Sequence, residues 1–354
     1  MTISDADGDD RGADGRADAR AATKPSIREV ADRAGVAISS VSRVLSEHPD
    51  VSARMREVVL AAVDDLGYRP NVLAQGLRRR RTLSVGFAVS DIANPIFAEI
   101  VTGAERRLRT AGYSLLLTNS EGDPRLDADN VRLLEQRQVD GLLLSLAQED
   151  TPAIVDLLRA CELPLVLLDR DLPAGVTART AIFDHRGGME EATRRLLDLG
   201  HRDVALVVGG PTLPARERRA GVEDTLWRGG GRLVVIEGQF GVEEGYRGAL
   251  AALDRTPRPT ALIAAGNTLM AGALRALHER GVQVGSDISF IGCDNVPVAE
   301  LHDPPIAVVR RDARRLGQSA AELLLATLGG ETDVANVVLP TEFLMRPSCA
   351  PPRR

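Results

Sequence analysis

The sequence predicts an α/β protein with a small helical module at its N-terminus, and three observations predict it. From residue 83 onward, short continuously apolar stretches such as "LSVGFAV", "LPLVLL" and "VALVV" alternate with amphipathic ones such as "IFAEIVTGAERRLRTAG". That is the pattern of parallel strands covered by helices on both faces. The alternation runs in two series, the second beginning near Thr180, so two α/β lobes facing a common cleft are expected. Ahead of both, "SIREVADRAGVAISSVSRVL" at residues 26–45 compresses two helices and a turn into one short stretch.

The helical module follows from its own residues. Ser26 with Glu29 three places on is a capping box, which starts a helix at about Ile27. Ile27, Val30, Ala31 and Ala34 share one face, and Gly35 supplies the left-handed residue that ends the helix. The second helix turns Val41, Val44 and Leu45 inward, while Ile38, Ser39, Ser40, Ser42 and Arg43 form an outer face that packing does not require. A third helix in "SARMREVVLAAVDDLG" takes Ser52 as N-cap, Val58, Val59, Ala62 and Leu66 as its apolar stripe and Gly67 as its stop. Three helices at this spacing make a helix-turn-helix.

Composition narrows the function classes. The chain has 354 residues, 44% hydrophobic and 27% charged, with a net charge of −6. The charge is unevenly placed: residues 1–23 carry three Arg against six Asp, whereas residues 24–81 carry Lys24 and ten Arg against seven acids. A basic module thus sits on an acidic body, which suits phosphate contacts made locally. The acidic opening stretch has no apolar core of a signal peptide, and no apolar run reaches about 18 residues, so a cytoplasmic protein without a membrane span is expected. Cys161, Cys293 and Cys349 form no CxxC pair, and there is no HExxH, GxSxG, GxGxxG or P-loop motif. Neither an enzyme, a metal site nor a cofactor is expected. Trp227, the one tryptophan, is read as a packing residue.

"IREVADRAGVAISSVSRVL", "VSARMREVVLAAVDDLGYRPN" and "LAQGLRRRRT" together resemble the DNA-binding headpiece and hinge of the lactose/galactose repressor family. The resemblance implies that the second helix enters the DNA major groove, with Ile38 and Ser39 at base-reading positions, Arg43 addressing a guanine edge, and Ser40 and Ser42 serving phosphates. Ala37 stands where the family commonly has Ser, which removes one phosphate-contacting hydroxyl. Residues 68–82 look like the family hinge, a helix that forms on DNA; Leu77 matches the leucine that wedges into a central base step, and Asn71, Ala74 and Gln75 line the same helix.

The resemblance continues through "VSDIANPIFAEI", "LPLVLLDRDLP", "LGHRDVALVVGGP", "ARERRAG" and "DISFIGCDN". It implies an effector domain similar to periplasmic sugar-binding proteins, with Phe97, Asp169, Arg218, Asn267 and Asp294 around a small molecule in the cleft. Carboxylates, an amide and a guanidinium beside an aromatic wall suit a sugar. Departures occur at His185 and Thr268, where the family usually has Asn and Asp, and in the helix after Asn267, one residue short. The expected organisation is a tail (1–25), headpiece (26–70), hinge helix (71–81), two-lobed effector and dimerisation domain (82–350) and short tail (351–354). The expected function is a repressor that binds a pseudo-palindromic operator as a homodimer under control of a small molecule. The second reading is a cytoplasmic sugar-binding module without specific DNA binding, which loss of binding in Arg43→Ala would count against.

Overall fold

The computed structural model of the chain describes residues 25–46, 48–69, 81–148 and 150–353. The hinge residues Asn71, Ala74, Gln75 and Leu77 lie outside the described residues, as does most of the acidic tail. The chain divides into two compact units, residues 1–79 and 80–354.

The first unit is a three-helix headpiece: α1 (Ile27–Ala34), α2 (Ile38–Leu45) and α3 (Ala53–Leu66). The capping box forms, with the Ser26 N–H donating to Glu29 Oε2 at 2.6 Å and the Glu29 N–H to Ser26 Oγ at 3.4 Å. Gly35 takes a φ of 65° and the Val36 N–H closes the helix end on the Ala31 carbonyl. Val30, Ala31, Val41, Val44, Val59 and Ala62 are its core. One expectation is corrected: Val58 is 41% exposed, and Met55 and Val63 pack instead. Met55, Val59, Ala62, Val63 and Leu66 fall within one arc of α3 at about 100° per residue, and Val58 lies outside that arc, on the solvent side of it.

The second unit holds two six-stranded sheets. In the first lobe β1 (Ser84–Val89), β2 (Ser114–Asn119), β3 (Gly141–Ser145), β4 (Leu165–Leu168) and β5 (Arg179–Phe183) join β11 (Val337–Leu339) in the order β11-β5-β4-β3-β1-β2, all parallel. The second lobe takes β6 (Asp203–Val208), β7 (Arg232–Glu237), β8 (Ala261–Ala264), β9 (Ser289–Cys293) and β10 (Ala307–Arg310), with β12 (Glu342–Leu344) antiparallel at the edge. The central strands are buried on both faces, as their unbroken apolar runs require. The lobes are interleaved: the chain crosses after β5, returns after β10 into helix Ala313–Leu328 of the first lobe, and crosses again after β11.

Helices cover both sheets, in order α4 (Pro95–Thr110), α5 (Pro124–Gln136), α6 (Pro152–Ala160), α7 (His185–Asp198), α8 (Leu213–Arg228), α9 (Val242–Leu253), α10 (Asn267–Glu279), α11 (Pro297–Leu301) and α12 (Ala313–Leu328). Trp227 on α8 is 81% exposed, which corrects its reading as a packing residue. It stands next to the helix end at Gly229, and the neighbouring Leu226 faces the core in its place. Where α4 crosses α12, Gly103 and Gly317 face the opposing backbone; a Cβ on Gly317 would overlap the Ile100 carbonyl oxygen. Gly317→Val should therefore cost about 3 kcal/mol, because backbone cannot move aside as a side chain can. A lowered urea midpoint checks this; an unchanged midpoint would show that the helices can separate freely.

Candidate functional site

Both sheets reverse strand order beside their first strand, so the crevices expected to hold ligands lie outside β1/β3 and β6/β8. Those two points meet. Asn94, after β1, caps α4 by accepting from the Ile96 N–H at 3.2 Å, and the same Oδ1 accepts from Asn267 Nδ2 at 2.7 Å across the cleft. Asp171 of the first lobe and Arg216 of the second form another cross-lobe ion pair.

Asp169 and Asp294 occupy equivalent places in the two lobes. Each extends its strand by one ladder bond, Asp169 N–H to Ala181 O and Asp294 N–H to Val309 O, then turns away with φ of 51° and 68°. The left-handed turn, which Asp tolerates better than most residues, aims each carboxylate at the crossovers. Arg311, just beyond β10, receives both: its Nε and Nη2 donate to Asp294 Oδ1 and Oδ2 at 2.7 and 3.2 Å, and its Nη1 donates to Asp169 Oδ2 at 2.8 Å. One guanidinium thus holds carboxylates from both lobes, with its side chain only 10% exposed. Burial opposes its charge, but the two carboxylates outweigh this and raise its pKa above the ordinary arginine value.

His185 opens α7 at the first crossover and is buried. Arg218 Nη2 donates to its Nδ1 at 3.3 Å, which places the ring proton on Nε2. That nitrogen stands 3.1 Å from Asp169 Oδ1, near enough for charge attraction but off hydrogen-bond geometry. Burial lowers the His185 pKa to about 4, with Arg218 and Arg311 adding to the shift and Asp169 opposing it. Burial alone would raise the Asp169 pKa; His185, Arg311 and the Phe183 N–H outweigh it and hold it below the ordinary carboxylate range.

A pH dependence follows. A histidine depressed to about 4 when folded takes up its proton in the unfolded chain first, so its contribution to stability is complete above about pH 6.5 and is lost as pH falls toward 4. The loss should reach roughly 3 kcal/mol, since each pKa unit is worth about 1.4 kcal/mol. Thermal melts between pH 4 and 7 should show His185→Asn flattening this slope; an equally steep slope in the variant would assign it elsewhere. Asp169 adds its own loss only below about pH 4, where the unfolded carboxyl protonates.

The expected cleft residues come together unequally. Asp169, Arg218 and Asp294 share one buried network, and Asn267 sits at the opposing switch point. Phe97 is half-buried on α4, against the first lobe's core. A cavity of about 560 Å³ lies beside the crossovers, between Ile96 and Glu99 on one side and Asn295 and Val296 on the other, with Arg311 in its wall. Asp169, Arg218, Asn267 and Asp294 are not on that wall, being covered where the lobes meet. Sequence reasoning missed Arg311 and Asn94; the available signal for Arg311 was a charged residue just after an apolar strand. In the headpiece, Ser39 and Arg43 are exposed, Ser40 and Ser42 half-buried, and Ile38 leans partly on the core.

A helix-turn-helix headpiece joined in one chain to a two-lobed cleft defines a ligand-responsive transcriptional regulator. Residues 26–71 match the family model for bacterial regulatory proteins of the lacI family, and residues 193–349 match a periplasmic binding protein-like domain. The HTH-type transcriptional regulator DegA of Bacillus subtilis is 30% identical over 93% of this chain and 99% of its own. The Lac repressor dimer bound to operator and the anti-inducer ONPF superposes with a TM-score of 0.83 at 29% identity, covering 93% of this chain and 100% of that one. The complex of the transcriptional regulator CelR with cellobiose gives 0.69 at 32% identity, covering 92% and 99%. The chain belongs to the lacI family of bacterial regulatory proteins, and it is a regulator rather than an enzyme. Among the described residues no helix is long and apolar enough to cross a membrane.

Proposed function

We propose that this regulator is a repressor that binds a pseudo-palindromic operator as a homodimer and responds to a small molecule, a sugar or sugar derivative, in the cleft between its lobes. The observation that carries this reading is the buried network in which Arg311 joins Asp169 of one lobe to Asp294 of the other. Whatever enters there must change contacts between the lobes, and that differential contact is what shifts a two-state equilibrium. CelR, a structural neighbour, is bound to cellobiose, which supports the sugar class. Action on DNA puts the protein in the cytoplasm.

On the same reading, residues 26–70 contact DNA, with Ile38, Ser39 and Arg43 toward bases and Ser40 and Ser42 toward phosphates. Residues 71–81 form the hinge, with Asn71, Ala74, Gln75 and Leu77 toward the minor groove. Residues 82–350 bind effector, through Phe97, Asp169, Arg218, Asn267 and Asp294, and dimerise. A mobility-shift assay on fragments flanking the chain's own gene, at fixed salt with a sugar panel, tests it. Specific retardation that one sugar releases is the expected result. Retardation only with ligand would reverse the sign of response, and no specific retardation at all would favour the sugar-binding module.

A further inference from the structure

The chain enters its second unit through a clamp. Arg81, the first of the described residues there, donates from Nη2 to the Leu328 carbonyl at 2.8 Å and so caps the last turn of α12. The next two backbone N–H groups go to one side chain: Thr82 donates to Asp140 Oδ1 at 2.7 Å and Leu83 to Asp140 Oδ2 at 2.9 Å. The Thr82 hydroxyl donates to the Gln138 carbonyl at 2.8 Å, and the Asp140 N–H returns a bond to the Ser84 carbonyl at 2.7 Å. Both segments bend to meet, since Leu83 and Gln138 take φ of 53° and 57°. Residues with a side chain seldom adopt that left-handed conformation unless their surroundings impose it.

The sheet ladder already registers β1, which pairs with β2 and β3 on either side from Val85 onward. What the clamp adds is a fixed exit for the chain ahead of the strand. It is tied to α12 a second time: Gly141, next to Asp140, lies against Leu324, where a Cβ would stand 2.9 Å from its Cδ1. α12 is one helix of 16 residues, about 24 Å long, packed along one face into the first lobe's core. It begins two residues beyond Arg311, the side chain that joins the two lobes. Arg81 and Arg311 therefore stand at opposite ends of one rigid element. A slack exit would absorb a movement of the lobes in the dihedrals of residues 81–83, whereas a clamped one carries it to the residues ahead.

We infer that Asp140 is a positioning residue for regulation: it locks the exit of the hinge onto the first lobe, so that a change in contacts between the lobes reaches the DNA-binding unit. This rests on the regulator reading above, but the clamp itself is measurable without DNA. Hydrogen exchange of the full chain, followed by mass spectrometry, should show the Thr82 and Leu83 amides protected, and exchange about tenfold faster at both in Asp140→Ala with second-lobe peptides unchanged. Operator retardation supplies the regulatory readout. Arg311→Met should change operator affinity by about fivefold or more on its own, and by less than about twofold in the Asp140→Ala background. Distant residues ordinarily act additively, so a purely structural tie would leave the two effects independent. Thr82→Val, which loses only the bond to Gln138, replaces Asp140→Ala if that variant folds poorly, and Arg216→Ala, which breaks only the exposed cross-lobe pair with Asp171, likewise replaces Arg311→Met. Unprotected Thr82 and Leu83 amides in the wild type, or a lobe-variant effect that is absent or is equal in both backgrounds, overturns the inference. No operator retardation by the wild type, with the protection intact, would overturn the regulator reading itself and leave Asp140 as a structural tie.

Discussion

Arg311→Met should destabilise the second unit by about 3–5 kcal/mol, because it leaves two buried carboxylates without their shared cation. The expected measurement is a lower urea midpoint at pH 7. Two controls separate charge from packing. Without Arg311, burial should raise the Asp169 pKa, so the folded variant takes up a proton as pH falls and its deficit against the wild type should narrow toward pH 4. Adding Asp169→Asn and Asp294→Asn to Arg311→Met removes the stranded charges and should restore much of the lost stability. A deficit that is equal at pH 4 and 7 and unaffected by the two amides would place the role of Arg311 in packing alone. The same side chain ties the lobes at their crossovers, so Arg311→Met should also change how ligand affects operator affinity.

Arg43→Ala should reduce specific operator affinity by about 1–3 kcal/mol, roughly five- to 150-fold, at constant salt. Arg43 lies in the last turn of α2 with its side chain exposed and outside the headpiece core, so the headpiece should melt at an unchanged temperature. Its carbonyl, which accepts from the Ser46 hydroxyl and the His48 N–H, remains in the variant. Base reading predicts a preferential loss at one operator position, whereas binding to unrelated DNA should fall only by the share of one lost cation. Equal losses on operator and unrelated DNA would make Arg43 a phosphate contact and move base recognition to Ile38 and Ser39.

Local chemistry made the headpiece legible. The capping box of Ser26 and Glu29, the left-handed stops at Gly35 and Gly67 and the cap at Ser52 are all interactions within a few residues, and each formed where the sequence placed it. The alternation of apolar strands and amphipathic helices likewise gave two parallel sheets, since burial on both faces leaves a mark on every strand. Val58 and Trp227 show the limit of such reading: apolar character does not say which of two neighbouring helical positions faces the core.

The ends of β4 and β9 were visible as Asp169 and Asp294, but what those carboxylates hold was not. Arg311 lies 142 residues from Asp169 in sequence, and Asn94 lies 173 from Asn267. Such pairs leave no periodic trace, because a single long-range bond constrains neither spacing nor hydrophobic pattern around it. The sequence by itself therefore determined the helical module, the two-lobed α/β class and the candidate polar residues at strand ends. Only the tertiary structure decided that the lobes interleave through three crossovers, that one guanidinium would bind both carboxylates, and that Arg218 would be buried against the Ala265 carbonyl and His185, since each depends on which distant segments the packed sheets bring within hydrogen-bond reach.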